Sequence, residues 1–138
     1  MKHELKQRVY YSDTDAYSVA WHGSYLRWME MARVEFCSEI GIDLVDLQKK
    51  DIAIPVTNIN IRYKSSAFLD EKIIVETTLT KMSPLTVTFT QIIKNAESGQ
   101  VHTVAEVEVV AVHNDGKLYR RLPDDLKTVL EGALECSD

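Results

Sequence analysis

The chain reads Tyr10-Tyr11-Ser12-Asp13-Thr14-Asp15-Ala16-Tyr17-Ser18-Val19-Ala20-Trp21-His22-Gly23-Ser24-Tyr25 between its first strand-like run and its longest helical pattern. This stretch decides the fold, because the hydrophobic period changes across it. Before it, residues 5–11 (LKQRVYY) are rich in β-branched and aromatic side chains and predict a strand. Residues 12–22 predict a loop. After it, Leu26, Met29, Ala32, Phe36 and Ile40 recur every three or four residues, which predicts a helix from about Ser24 to Ile40 with one buried face. Arg27, Glu30, Arg33 and Glu35 fall on its more polar faces. Ser24 suits an N-cap, and Gly41 suits a left-handed stop. The loop thus brings Asp13, Asp15 and His22 to a helix start, where the first backbone N–H groups lack partners. A carboxylate so placed can attack a carbonyl beside donors for the resulting oxyanion.

Beyond the helix, Leu44–Lys49 predicts a shorter helical stretch, and from residue 52 the pattern becomes strand-like. Residues 56–64 alternate, with Ile59, Ile61 and Tyr63 on one face. Residues 72–80 are β-branched. Residues 85–94 align Leu85, Val87, Phe89, Gln91 and Ile93, and residues 103–113 align Ala105, Val107, Val109 and Ala111. Ala96-Glu97-Ser98-Gly99 predicts a hairpin turn and Asn114-Asp115-Gly116 a chain reversal. A short strand is expected at 117–121, and Leu122-Pro123-Asp124-Asp125 predicts the start of a final helix. One strand, a long helix, then strands in hairpins give an α+β class: one antiparallel sheet with the helix packed on a face. No internal repeat or linker breaks the chain, so residues 1–138 read as one domain. Exposed edge strands favour an oligomer that pairs them.

Composition narrows the function. The 138 residues are 45% apolar with a net charge of −5. Basic residues are scattered, with Lys49-Lys50 and Arg120-Arg121 the only adjacent pairs, which argues against nucleic-acid binding. Cys37 and Cys136 form no disulfide framework or zinc cluster, so no metal is expected; Cys37 reads as a helix-packing residue. The N-terminus lacks an apolar signal core, and no run approaches a membrane span. The default expectation is a reducing, cytoplasmic setting without membrane insertion.

Asp13-Thr14-Asp15, Val19, His22, Ser24-Tyr25 and Glu30-Met31-Ala32-Arg33 together resemble the first motif of the hotdog-fold acyl-CoA thioesterases of the 4-hydroxybenzoyl-CoA thioesterase family, in its bacterial His-containing branch. Residues 61–71 (IRYKSSAFLDE) resemble the family's second stretch, and Arg120-Arg121-Leu122-Pro123 its closing phrase. The resemblance spans nearly the whole chain. It implies a hotdog fold, a long central helix wrapped by a five- or six-stranded antiparallel sheet. It also implies cofactor-independent hydrolysis of an acyl-CoA to a carboxylic acid and free coenzyme A, by a homodimer, commonly a homotetramer, with sites between subunits. Ser18 stands where the family usually has Gly, and Ala20 where it has Val. Ser adopts glycine's backbone angles less readily, so the reading expects the loop to follow a different path.

On residue type alone Asp15 reads first as a turn or cap; the resemblance assigns it instead the role of nucleophile or general base. Asp13, two residues away, faces the other side of an extended chain and reads as a loop-ordering residue. His22 is a catalytic candidate, and its backbone N–H or that of Gly23 is a candidate oxyanion donor, with Ser24 beside them. Tyr17 and Trp21 are candidates to line an acyl pocket, whereas Tyr25 and Trp28 read as core. Lys64, Lys81 and Ser83 are candidates to meet pantetheine or nucleotide phosphates, or else are exposed strand ends. Lys81-Met82-Ser83-Pro84-Leu85 holds one basic residue where aromatic-thioester relatives carry a cluster. His3, His102 and His113 read as surface or strand residues. The alternative from another class is a non-catalytic module binding acyl-CoA or acyl-carrier protein. A hotdog dehydratase ranks last, because its His/acid signature is missing.

Overall fold

The computed structural model describes residues 1–134; Cys136 lies outside them. Five strands form one antiparallel sheet: β1 (Lys2–Arg8), β2 (Val56–Tyr63), β3 (Lys72–Met82), β4 (Thr86–Asn95) and β5 (Val101–Val110). Their spatial order is β1-β3-β4-β5-β2, so β1 and β2 are the edges. Three helices complete the fold: α1 (His22–Glu39), α2 (Leu44–Lys49) and α3 (Asp124–Ala133). The α+β class and the antiparallel sheet agree with the sequence reading.

The core lies between α1 and one face of the sheet. Alternation sends Ile73, Val75 and Leu79 of β3, Val87, Phe89 and Ile93 of β4, and Ala105, Val107 and Val109 of β5 to that face, all buried. The helix answers with Tyr25, Trp28, Met29, Ala32, Phe36 and Cys37, spaced three or four residues apart. Phe36 meets Phe89 edge-on at 5.5 Å. Gln91 is the buried polar exception on this face. Its amide donates to Met29 O and Thr77 Oγ1, both at 2.9 Å, and accepts from Arg33 at 2.9 Å, so its polar atoms are satisfied.

The structure moves several boundaries. β1 begins and ends three residues earlier than the composition suggests. α1 begins at His22, not Ser24, because Trp21 N–H bonds to Asp13 O at 2.8 Å and turns the chain into the helix there. Ser24 is therefore inside the helix, and its hydroxyl donates to Asp13 O at 2.8 Å instead of capping. Leu26, expected in the core, is 37% exposed: the buried face runs through Tyr25, Trp28, Met29, Ala32 and Phe36 and leaves Leu26 at its margin. Leu85 is also exposed, in the β3–β4 turn. No strand forms at 117–121; a single bridge between Leu118 and Val112 is what remains of it. Gly41 does end α1 with φ +88°, where a Cβ is disfavoured.

Candidate active site

The β1–α1 loop is built around Asp13, not Asp15. Asp13 is 1% exposed. Its carboxylate accepts the Tyr10 N–H at 2.8 Å and pairs with Arg27 of α1. Its carbonyl takes Trp21 N–H and the Ser24 hydroxyl. This agrees with a loop-ordering role. Asp15 is exposed, and its Oδ1 accepts the Tyr17 N–H at 2.8 Å. The loop then doubles back: Asp15 N–H bonds Val19 O at 3.0 Å, and Ser18 N–H bonds Asp15 O at 3.1 Å. Ser18 takes φ +63°, so the serine itself adopts the left-handed angle that glycine would hold more cheaply.

Asp15, His22 and Lys64 share one open pocket of about 360 Å³, together with Tyr25, Tyr63, Ser65 and Ser66. The pocket lies at the N-terminus of α1, where the segment after β2 meets the loop. Ala20 N–H bonds Ala67 O at 2.8 Å, and Leu69 N–H bonds Ser18 O at 3.3 Å. Tyr25 Oη accepts the Ala67 N–H at 3.0 Å, and Tyr63 Oη donates to His22 O at 2.8 Å. Burial pushes the Tyr25 phenol above its ordinary range, so it stays protonated at neutral pH. Among the described residues, the N–H groups of His22 and Gly23 have no acceptor, as expected for the first turn of a helix. The pocket therefore combines an exposed carboxylate and an imidazole beside the unpaired first N–H groups of α1. Such a set can polarise a carbonyl and deliver a nucleophile to it.

The remaining predicted residues fall in three groups. Trp21 is half-exposed, with its ring 4.8 Å from that of His22. It covers Gly23 so closely that a Cβ there would lie 2.1 Å from the indole. Tyr17 is 85% exposed and does not line the pocket. Lys81 and Ser83 are not in this pocket. Lys81 pairs with Thr88 at the opposite end of the sheet and shares a polar groove with Asn58, Glu106 and Glu108. Asn58 is six residues from Lys64, or about 20 Å along a strand. Ser83 Oγ accepts the Leu85 and Thr86 N–H groups at 3.2 and 2.9 Å and so holds the β3–β4 turn.

Sequence reasoning missed the polar residues after β2. Ser65 and Ser66 line the pocket, and Ser65 contacts a histidine read as surface or strand. His102 does sit on β5 but is 1% exposed, covered by the β2–β3 connection. The signal was available in residues 61–71, read as a motif rather than as pocket chemistry. Cys37 is buried, and burial pushes its thiol up to about 11, which fits a packing residue.

The fold and the family match together place the chain in the class of hotdog thioesterases. The chain belongs to the thioesterase-like superfamily, whose description matches residues 9–130. It is 35% identical over 119 residues to the acyl-CoA thioester hydrolase YbgC of Escherichia coli O6:H1, covering 86% of this chain and 88% of that protein. The DHNA-CoA thioesterase structure from Staphylococcus aureus superposes with a TM-score of 0.87 at 30% identity, covering 95% of this chain and 89% of that one. Slr0204, a 1,4-dihydroxy-2-naphthoyl-CoA thioesterase from Synechocystis, shares the fold, with a TM-score of 0.85 at 23% identity over 94% of this chain and 96% of that one. No helix among the described residues is long and apolar enough to cross a membrane.

Proposed function

We propose that the protein is a cofactor-independent acyl-CoA thioesterase that uses Asp15 as nucleophile or general base. The observation that carries this reading is the shared pocket of Asp15 and His22 at the free N–H groups of α1, in a chain of this family. Asp15 attacks the thioester carbon to give a mixed anhydride, or takes a proton from the water that does. The His22 and Gly23 N–H groups receive the oxyanion, and coenzyme A leaves as the thiolate. Lys64, at the pocket rim, suits the negatively charged end of the substrate. The working unit in this reading is a single hotdog domain, residues 1–138, with α1 as the helix the sheet wraps. It acts in the cytoplasm as a homodimer, with homotetramers formed from dimer pairs. Support for a partner comes from β2, an edge strand exposed on both faces at Val56, Ile59 and Tyr63.

The test is thiol release from a panel of acyl-CoAs by wild type and Asp15→Asn. Loss of the base is expected to lower kcat by about two to four orders of magnitude on the preferred substrate. Full activity of the variant overturns the assignment. Tight acyl-CoA binding by wild type without turnover favours a binding module instead.

A further inference from the structure

Behind one wall of the pocket runs a buried chain of hydroxyl, imidazole and carboxylate. Ser65 Oγ lies 2.8 Å from His102 Nδ1. On the far side of the ring, His102 Nε2 lies 2.5 Å from Glu71 Oε2. The other Glu71 oxygen accepts the Phe68 N–H at 3.1 Å, which fixes the carboxylate. Ser65 is the member that reaches the pocket, alongside Asp15 and His22.

Proton accounting sets the direction of this chain. Ionised Glu71 only accepts, so it holds a proton on Nε2. A neutral imidazole protonated there leaves Nδ1 as an acceptor facing the serine. The Ser65 hydroxyl has one proton and two acceptors in reach, Nδ1 and Val101 O at 2.9 Å. Pointed at Nδ1, it is a hydroxyl hydrogen-bonded to a base whose tautomer a carboxylate sets. The same three roles activate serine nucleophiles on unrelated folds, where Nε2 faces the serine and Nδ1 the carboxylate; here the two ring nitrogens are exchanged.

We propose that Ser65 is a second acyl-accepting nucleophile in the pocket, with His102 as its base and Glu71 as the residue that orients the imidazole. Its substrates are acyl oxygen esters. Ser65 Oγ bonds to the acyl carbon as its proton moves to Nδ1. The C–O bond then breaks, and the leaving group takes that proton. Water attacks the acyl-serine ester, gives a proton to Nδ1, and the acid leaves as Ser65 regains the proton. The His22 N–H, unpaired in the first turn of α1, supplies an oxyanion donor. An alkoxide is a far more basic leaving group than a thiolate, so the imidazolium proton extends the site to oxygen esters. The proposal rests on the reading of this pocket as an acyl site, but not on the role of Asp15.

The probe is a fluorophosphonate, which forms an Oγ–P bond and expels fluoride. The whole protein is labelled and the modified peptide mapped by mass spectrometry. One phosphonyl group on Ser65 is expected in wild type and in Asp15→Asn, with none on Ser65 in the heat-unfolded chain. His102→Gln is expected to slow labelling at least tenfold, with circular dichroism confirming its fold. Ser65→Ala is expected to lose at least tenfold in p-nitrophenyl ester hydrolysis with its circular dichroism unchanged. No label on Ser65, or equal label in the folded and unfolded chains, overturns the proposal and leaves the three residues as a structural tie. Mapping on wild type needs no variant to fold. Loss of thioester turnover in Asp15→Asn is scored separately, so either reading can fail alone.

Discussion

Replacing Asp13 by alanine tests whether the two aspartates of the loop are divided between structure and chemistry. The Asp13 side chain is 1% exposed and accepts the Tyr10 N–H at 2.8 Å. A charge-assisted bond of this kind is worth about 1.5–3 kcal/mol. The Arg27 side chain is 55% exposed, so its share of the ion pair is only about 0–1 kcal/mol after screening. Together these give a loss of about 1.5–4 kcal/mol for Asp13→Ala. Asp13→Asn keeps an oxygen for the Tyr10 N–H and is expected to cost about 1 kcal/mol less than the alanine change. Asp15→Asn is the contrast. Its Oδ1 bond to the Tyr17 N–H survives in the amide, the position is exposed, and stability is expected to hold within about 0.5 kcal/mol. Urea unfolding followed by circular dichroism gives the midpoints, with a constant m-value required for comparison. The argument is refuted if Asp13→Ala unfolds at the same urea concentration as Asp15→Asn. It is refuted equally if Asp15→Asn proves the less stable of the two.

Ser18 at φ +63° predicts a conformational ranking: Ser18→Gly at least as stable as wild type and Ser18→Val about 1–2 kcal/mol less stable, read from the same urea curves. Gly23→Ala gains about 1 kcal/mol of helix propensity but puts a Cβ 2.1 Å from the Trp21 ring, so the half-exposed indole must swing away. The expected result is unchanged or higher stability with an altered KM and a shifted Trp21 emission, measured in a Trp28→Phe background. Asp51 is held below its ordinary 3.8 first by the Asn114 N–H and then by the His113 side chain. A carboxylate depressed in the folded state adds stability above about pH 4 and loses it as pH falls through the folded value. The wild-type advantage over Asp51→Asn should therefore shrink only below about pH 4, in unfolding curves taken from pH 7 to pH 2.

The layers of the fold were legible because side chains report their face. Period two marked the buried runs of β4 and β5, and spacing of three and four marked α1. Helix and strand ends were less legible because backbone contacts set them. Nothing in Ser24 discloses that the Asp13 carbonyl has already turned the chain at Trp21. Leu26 illustrates a related gap: its spacing of three from Met29 fits the buried stripe, but it lies at the stripe's margin, where Tyr25 takes the core position. For β2, alternation named Ile59, Ile61 and Tyr63 as one face but carried no information on its edge position, where a single chain leaves Ile59 and Tyr63 exposed. At the site, Asp15 and His22 came from the resemblance to the family's first motif, and both line one pocket. The link from Ser65 to His102 was not legible, because 37 residues separate partners that only the β2–β5 pairing brings together.

That pairing also explains how an exposed loop can hold a fixed shape. Three non-glycine residues have positive φ, and two of them, Ser18 and Asp70, sit where the β1–α1 loop meets the β2–β3 connection. Each carries a cost of about 1–2 kcal/mol. The cost is borne because the junction is hydrogen-bonded on both sides. Asp70 N–H bonds Val9 O at 2.8 Å, Val9 N–H bonds Glu71 O at 2.9 Å, and Leu69 N–H bonds Ser18 O at 3.3 Å. Glu71, held at one end by this junction, reaches His102 with its side chain and so ties it to β5. The carboxylate of Asp15 and the hydroxyl of Ser65 thus belong to two segments that fix each other, each anchored in a different strand. Strain concentrated at such a junction is what a preorganised pocket requires, since a relaxed loop would let the two side chains drift apart within the pocket they line.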